Sequence, residues 1–558
     1  MARQQAETLR PLEAVIKSPR ESEAAAISER RVQTPINAER LEYHLKKCNY
    51  PQEKTRYLVE GFKWGFKLGH SGNPVDLEAN NSKKAELNPE VIEKKLDTEL
   101  SKGRIAGPFV EKPFPVFQVS PLNVREKSVK NTFRLIHDLA HPYDDNSVNA
   151  KIPQGEKTVK YSTIRDAVKK LSQLPKGAYL AKCDIADAYR IIPVHPSEYP
   201  KLGMKYKGMY YYDKFLPQGC GSSCRIFEAF STALQAIFEY YNPGADVQHM
   251  IDDFLFLAIT QWLCQRSLDS FASLCEDIGV PLAPEKTTTP ATWVVFLGFL
   301  LDSIARTTSL PADKVEKYSE EVEHIITLAG RISRKQLESV VGKLNFAAAV
   351  VPARPFLFRL SKRIYSVSKP YHWIKVTKEM REDLKTWLEF LRNYNGITFF
   401  RSLKLIPSDA IRMASDASFL GFGGCYGSNW VQAKYPVHWR AYGITFLELY
   451  PIFVLISMFG HLISNSSIQF RCDNMGVVEI IKSQSSSCPR IMTIMRPLTL
   501  LLIKFNIYLT ALHIEGKKNI VPDLISRFKI TEQVLRANKM KLRPSTLPSH
   551  LLPENFGI

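Results

Sequence analysis

Cysteine is scarce and unorganised in this sequence. Nine residues, an odd number, run from Cys48 to Cys488 without a single CxxC pair. Cys220 and Cys224 lie nearest one another, and no His or Cys companions stand at zinc-site intervals from them. These shortages exclude a disulfide scaffold and a zinc finger and favour a reducing compartment. Long apolar runs are missing too. Leu447–Ile463 is broken by Glu448, Pro451 and His461, and Thr493–Leu512 by Arg496, Pro497 and Lys504. No membrane span is therefore expected, and the opening MARQQAETLRPLEAV lacks the apolar core of a secretion signal. The expectation is an intracellular chain of the cytoplasm, the nucleus or both. Acidic residues run short as well: 56 Asp and Glu face 75 Lys and Arg, a net charge of +19. That excess suits a polyanionic partner, either nucleic acid or an anionic membrane.

What is present is an ordinary globular mixture. Hydrophobic residues make up 45% of 558, which excludes wholesale disorder and predicts three or four domains. No internal repeat or low-complexity tract interrupts it. Residues 1–85 read as a charged N-terminal extension of unknown role. Their one dense patch, GFKWGFKLGH (61–70), is either a small packing segment or a set of aromatics interleaved with lysines that could stack on bases. A helix is predicted from Asn88 onward, then Pro-rich extended chain. Short β-rich runs such as YLAKCDI and WVVFLGFLL alternate with helical patterns between Ala178 and Ile304. Phe227, Phe230, Leu234 and Phe238 recur at steps of three and four, which predicts a helix. Residues 311–400 read as mostly helical, and a second mixed block runs from about Ala410 to Phe528.

Asp184 ends the run YLAKCDI, and Asp252–Asp253 sit inside VQHMIDDFLFLAI, apolar on both sides. That pattern predicts a β-hairpin with carboxylates at its tip. Acids in so apolar a setting are costly unless paired or metal-bound. Carboxylates on more than one strand suit two Mg²⁺ ions, which can activate a 3′-hydroxyl and stabilise departing pyrophosphate. The plainer alternative is that Asp252 and Asp253 are turn residues.

The surrounding motifs resemble those of reverse transcriptases. D-x-x-D-A-Y, from Asp184 to Tyr189, looks like the family's first catalytic motif, and LPQGCGSS (216–223) like the segment packing on the incoming nucleotide. The resemblance implies that Asp184, Asp252 and Asp253 are catalytic metal ligands. It places Tyr189 against a ribose 2′-OH, Gln218 on the nucleotide, and Arg134 of FRLIHDL (133–139) on the triphosphate. Lys286 of PEKT (284–287) is implied as the proton donor to pyrophosphate, and FLGF (296–299) is similar to the primer-grip hairpin. Two departures stand out. Met250 replaces the usual tyrosine of Y-x-D-D, and Ala140 stands where D-x-R has its arginine.

In the second block, SDASFLGFGGCYG (415–427) reads as two strands turning through glycines, with Asp416 near the start. Glu448 follows in an apolar helix, Asp473 at the end of IQFRCDN, and Asp523 in NIVPDLISRF. Four carboxylates from four elements can converge on two metals. Singly, Asp473-Asn474 could be a helix cap and Glu448 a tolerated polar face. Together they resemble the ribonuclease H of retroelements, with Asp416, Glu448, Asp473 and Asp523 implied as catalytic metal ligands. Lys517 stands where some RNases H carry a histidine, His513 is read as structural, and Pro451 is tolerable only in a first helical turn.

Between Gly330 and Tyr365 eight bases face one acid, and between Arg527 and Arg543 six face one. The first run is either a solvated face or a phosphate-gripping one. The resemblance is strongest to the DIRS-like (tyrosine-recombinase) branch of retroelements and implies an α/β multidomain chain. Its parts would be an α+β fingers–palm polymerase (86–305), a helical thumb and connection (306–405), an RNase H-like α/β domain (406–530) and a basic tail (531–558). Implied partners are an RNA template, a DNA primer, RNA–DNA hybrid and dNTPs, with Mg²⁺ at both sites and Mn²⁺ as a substitute. No D-[ST]-G protease motif, zinc knuckle or integrase zinc cluster occurs, so a recombinase or other element proteins are expected on separate chains. The rival reading is a domesticated or inactive copy that binds nucleic acid without turnover. An RNA-copying RNA polymerase is disfavoured by Tyr189 and the nuclease-like block.

Overall fold

The computed structural model describes residues 31–126, 133–328, 330–351, 353–393, 395 and 404–557. Residues 1–30 of the expected N-terminal extension, and 396–403 near the expected boundary at 405, lie outside them. The protein is a mixed α/β chain of two units, Met1–Val294 and Val295–Ile558.

The first unit is built on a four-stranded antiparallel sheet. Tyr179–Asp184 runs between Asp253–Ala258 and Thr288–Ala291, with Asp246–Met250 on the outer side of Asp253–Ala258. The helix predicted from its phenylalanines spans Ser223–Tyr241, and Phe227, Phe230, Leu234 and Phe238 are all buried. Phe256 meets Phe238 of this helix at 5.4 Å and Phe271 of the helix Gln261–Ile278 at 5.3 Å, so both helices cover one sheet face. Ahead of the sheet lie the predicted helix Pro89–Ser101 and the hairpin Leu122–Glu126/Phe133–His137. A small antiparallel sheet of Ile105–Phe109, Met209–Asp213 and Gly203–Tyr206 completes this part.

The described part of the expected extension belongs to this same core. Helices Ala38–Lys47 and Gln52–Trp64 bury Leu41, Leu45, Leu58 and Phe62, and the Phe62 ring packs on Phe230 at 4.8 Å. Their apolar residues sit at helical spacing rather than in runs, which is why the segment reads as polar. Of GFKWGFKLGH, Phe62, Phe66 and Leu68 are buried and Trp64 is exposed, as a packing segment would be.

In the second unit the stretch expected to be helical carries helices Ala312–Thr327, Arg334–Ala347, Phe358–Tyr365 and Lys378–Asn393. A short strand pair, Arg331–Ser333 with Trp373–Lys375, lies among them. Three antiparallel strands follow, Met413–Ala417, Gly421–Tyr426 and Asn429–Lys434. Leu405–Pro407, Ser467–Cys472 and Tyr508–His513 form a parallel set. Buried Asp383 accepts from Arg496 Nη2 at 2.7 Å, tying helix Lys378–Asn393 to helix Pro489–Lys504.

Two local expectations change. Gly421, Gly423 and Gly424 do not make the first turn, which is Ser418-Phe419-Leu420, but lie within the next strand, and Gly427 makes the turn after it. A Cβ on Gly423 would stand 2.6 Å from Ile525, so the smallness of Gly423 lets the Asp523 helix press on the sheet. Pro451 is eight residues into the helix Ile444–Phe459, not in its first turn. Proline leaves the carbonyl four residues back without its helical donor. That carbonyl, of Leu447, accepts instead from the buried Tyr435 hydroxyl at 2.7 Å.

Among the described residues, Ile444–Ile463 is long and apolar enough to cross a membrane, and 78% of its most apolar stretch is buried inside the protein. Part of the expected basic tail helps to bury it. Tyr450 donates to the Leu551 carbonyl at 3.0 Å, and Phe556 packs on Trp439, Tyr450 and Phe453.

Candidate active sites

Antiparallel register sets Asp184 directly opposite Asp253, at the ends of adjacent central strands. Asp252 and Ile251 form the turn between Met250 and Asp253, as the hairpin reading predicts. Ile251 has φ +58°, a strained conformation for a β-branched residue. Three hydrogen bonds hold it there. Ile251 N–H donates to Glu228 Oε2 at 3.0 Å, Ser231 Oγ donates to Ile251 O at 2.6 Å, and Ile185 N–H donates to Asp252 O at 2.9 Å. Glu228 and Ser231, on the phenylalanine-rich helix, are site residues that sequence reading missed. Their only signal is a polar pair on a helix that is otherwise mostly apolar.

Burial, then the charge of Asp184, raises the Asp252 carboxyl above its ordinary range. Burial pushes Asp253 up to about 6, with Lys182 opposing and Asp184 and Asp252 reinforcing the shift. Asp253 Oδ1 is buried without a hydrogen-bond partner, the condition a cation relieves. Lys286 Nζ lies 2.6 Å from Asp184 Oδ1, and that hydrogen bond raises the ammonium pKa.

Beside these carboxylates opens a cavity of about 270 Å³, lined among others by Arg134, His137, Arg190, Gln218, Asp252 and Lys286. It brings together three of the residues expected to meet a nucleotide, Arg134, Gln218 and Lys286. Asp184, Asp253 and Tyr189 are not in its wall. The Tyr189 hydroxyl lies 3.1 Å from Cys224 Sγ, and its ring stands edge-on to Phe227 at 5.6 Å. Where Ala140 replaces an arginine, Asp138 accepts from the Tyr143 hydroxyl at 2.7 Å and from Ala140 N–H at 3.2 Å. FLGF forms the predicted hairpin, turning at Leu297 and Gly298, both with positive φ.

The second cluster gathers carboxylates from four elements. Asp416 lies on its strand and accepts from Ser526 Oγ at 2.5 Å. Ligand atoms of Glu448, Asp473 and Cys472 lie within 4.8 Å of one another. Asp473 is not the helix cap: Asn474 is, accepting from Val477 N–H at 3.1 Å. Asp523 accepts from Arg527 Nε at 2.7 Å. Burial, with repulsion from Asp416 and Asp473, pushes Glu448 up to about 9. Burial likewise pushes Asp416 up to about 6, Ser526 opposing and Asp473 and Asp523 reinforcing. Glu448 Oε2 and Asp473 Oδ1 are buried without hydrogen-bond partners. Hard oxygen donors, unsatisfied and mutually repelling, fit a divalent cation. His513 Nε2 lies 3.2 Å from the Asp473 carbonyl, while Lys517 is exposed beside Glu515.

Of the eight bases between Gly330 and Tyr365, three have internal partners: Arg334 with Glu338, Lys343 with Glu321, and Arg359 with the Ser486 carbonyl. Arg331, Lys335, Lys362 and Arg363 are exposed, and the Arg354 side chain lies outside the described residues.

The chain is 22% identical to the genome polyprotein of Petunia vein clearing virus (isolate Hohn) over 78% of its own length and 20% of that protein. It is 25% identical to the Pro-Pol polyprotein of Feline foamy virus over 33% of its own length and 14% of that protein. The chain thus spans about a fifth or less of these curated relatives. A solved foamy viral protease–reverse transcriptase, in complex with double-stranded DNA, is similar at a TM-score of 0.47 and 17% identity, covering 88% of this chain and 84% of that one. Residues 121–301, which hold Arg134, Asp184, Gln218, Asp252, Asp253 and Lys286, match the family model described as "Reverse transcriptase (RNA-dependent DNA polymerase)".

Proposed function

We propose that the chain is an RNA-directed DNA polymerase with a linked RNase H, copying RNA into DNA and degrading the RNA strand of the hybrid. The observation that carries this reading is the register of Asp184 opposite Asp253, with Asp252 in the turn, beside a cavity that holds Arg134, Gln218 and Lys286. Residues 86–305 are the fingers and palm, 306–405 the thumb and connection, and 406–530 the RNase H-like domain. Motif wording supports a DIRS-like origin.

Asp184, Asp252 and Asp253 would hold Mg²⁺ at one site, and Asp416, Glu448, Asp473 and Asp523 at the other, two ions each and Mn²⁺ substituting. When bound, the ions supply the positive charge that acidifies an attacking hydroxyl or water and steadies the departing oxygen. The rest falls to the chain's own side chains. Arg134 grips the triphosphate of a dNTP, and Gln218 packs on its nucleoside. Lys286, within the cavity wall, hands a proton to leaving pyrophosphate. Tyr189 guards against a ribose 2′-hydroxyl. Arg331, Lys335, Lys362 and Arg363 hold backbone phosphates of template, primer and hybrid. Such substrates place the work inside the cell, in the cytoplasm or nucleus.

Primer extension on an RNA template with Mg²⁺ tests the first site. Wild type should incorporate dNTPs and Asp252→Asn/Asp253→Asn should not; equal incorporation would sink the polymerase reading. Cleavage of hybrid RNA tests the second, and cleavage that survives Asp473→Asn would show that cluster to be structural.

A further inference from the structure

Arg190 is a nearly buried arginine that none of the polymerase motifs uses. Its side chain, 13% exposed, lies against the cavity. Nε donates to Glu99 Oε2 at 2.9 Å, and Nη1 lies 2.7 Å from Asp213 Oδ1. Nη1 also donates to the carbonyls of Phe215 and Leu216, each at 3.3 Å, immediately before Pro217 and Gln218. Asp213, more deeply buried, has its other oxygen 3.0 Å from His137 Nδ1, and His137 Nε2 lies 3.0 Å from the Gly203 carbonyl. His137 ends the strand that carries Arg134. Its backbone N–H donates to the Gln218 carbonyl at 3.0 Å. The two segments approach so closely that a Cβ on Gly219, at φ +134°, would stand 2.0 Å from the His137 carbonyl oxygen.

We propose that Arg190, Asp213 and His137 form a positioning lattice that fixes the spacing between the Arg134 strand and the Leu216–Gln218 segment. It thereby sets how tightly the cavity grips a nucleoside triphosphate, and in this it rests on the polymerase reading above. Glu99 and Asp213 share the Arg190 guanidinium, Arg104 Nη1 lies 3.9 Å from Glu99, and Asp213 also meets the His137 ring. Buried ion pairs of this kind contribute little net stability, yet they specify geometry, because each group has one arrangement that satisfies its partners. A planar guanidinium can serve two carboxylates and two carbonyls at once, which a lysine ammonium cannot.

The test uses the full chain with Arg190→Met and Arg190→Lys. In primer extension, Arg190→Met should raise KM for dNTPs by roughly tenfold to a hundredfold, as expected for lost alignment, with kcat at saturating dNTP close to wild type. Hybrid cleavage should be unchanged. Amide hydrogen exchange should quicken together in 133–137 and 216–219, and Arg190→Lys should fall between wild type and Met on both readouts. An unchanged KM, or unchanged exchange in those two segments, would overturn the proposal. Should Arg190→Met fail to melt cooperatively, Arg190→Lys is scored by the same two measurements. A wild type that extends no primer refutes the polymerase reading, while the exchange pattern still scores the lattice.

Discussion

Glu228 and Ser231 supply two of the three hydrogen bonds that hold Ile251 in a left-handed conformation costing on the order of 1–3 kcal/mol. Glu228→Ala should therefore slow primer extension by roughly tenfold or more, lower the melting temperature slightly and leave hybrid cleavage intact. A variant with wild-type extension would show that the strain is supported elsewhere. The same carboxylates give a pH signature. Asp253 and Asp416 rise from an ordinary 3.8 to about 6, and Glu448 from 4.5 to about 9. Between those values the folded state keeps protons the unfolded state has lost, so the stability these groups contribute falls as pH rises. A divalent cation must displace the protons and then removes the repulsion. The gain in melting temperature on adding Mg²⁺ should thus be larger at about pH 8 than at about pH 5.5, read by thermal unfolding. An equal gain at both would mean that no buried carboxyl is involved.

At the scale of elements, the helix that presents Glu448 depends on a residue outside it. Tyr435 supplies the hydrogen bond that Pro451 denies to Leu447, one residue from the proposed ligand. Tyr435→Phe should cost about 1–3 kcal/mol by orphaning a buried carbonyl, and should weaken hybrid cleavage. Adding Pro451→Ala returns an N–H to the helix, so the double variant should recover much of the loss in a melting experiment. Additive losses would show that the two residues act separately. How much of this was legible follows from how far each signal travels along the chain. The hairpin with its acidic pair and the phenylalanine helix are local patterns, and periodicity found both. The Tyr435–Leu447 bond and the Arg190 lattice join residues that no periodicity links. The first two helices were missed because their buried pairs, Leu41 with Leu45 and Leu58 with Phe62, stand four apart among charges. The glycines of 421–424 were misplaced because a close approach of a neighbouring segment, Ile525 at Gly423 and Leu455 at Gly424, and a turn ask for the same residue.

Over the whole molecule, the basic excess divides into charges turned inward and charges left to solvent. Of the run from Gly330 to Tyr365, Arg334, Lys343 and Arg359 serve the fold, and Arg331, Lys335, Lys362 and Arg363 stand exposed. Replacing Lys335, Lys362 and Arg363 with alanine should reduce the slope of log affinity for hybrid against log salt by about 0.7–0.9 per cation removed, without changing the melting temperature. An unaltered slope would assign this face to solvent alone. The seating of Leu551 and Phe556 against Tyr450 carries a consequence for synthesis. The most apolar helix among the described residues leaves the ribosome about a hundred residues before the segment that closes over it, so the second unit completes its core only after Leu551 and Phe556 have emerged. Until then that helix shows its aromatic flank to every other chain nearby, and a polypeptide ending short of Leu551 would carry the exposure permanently.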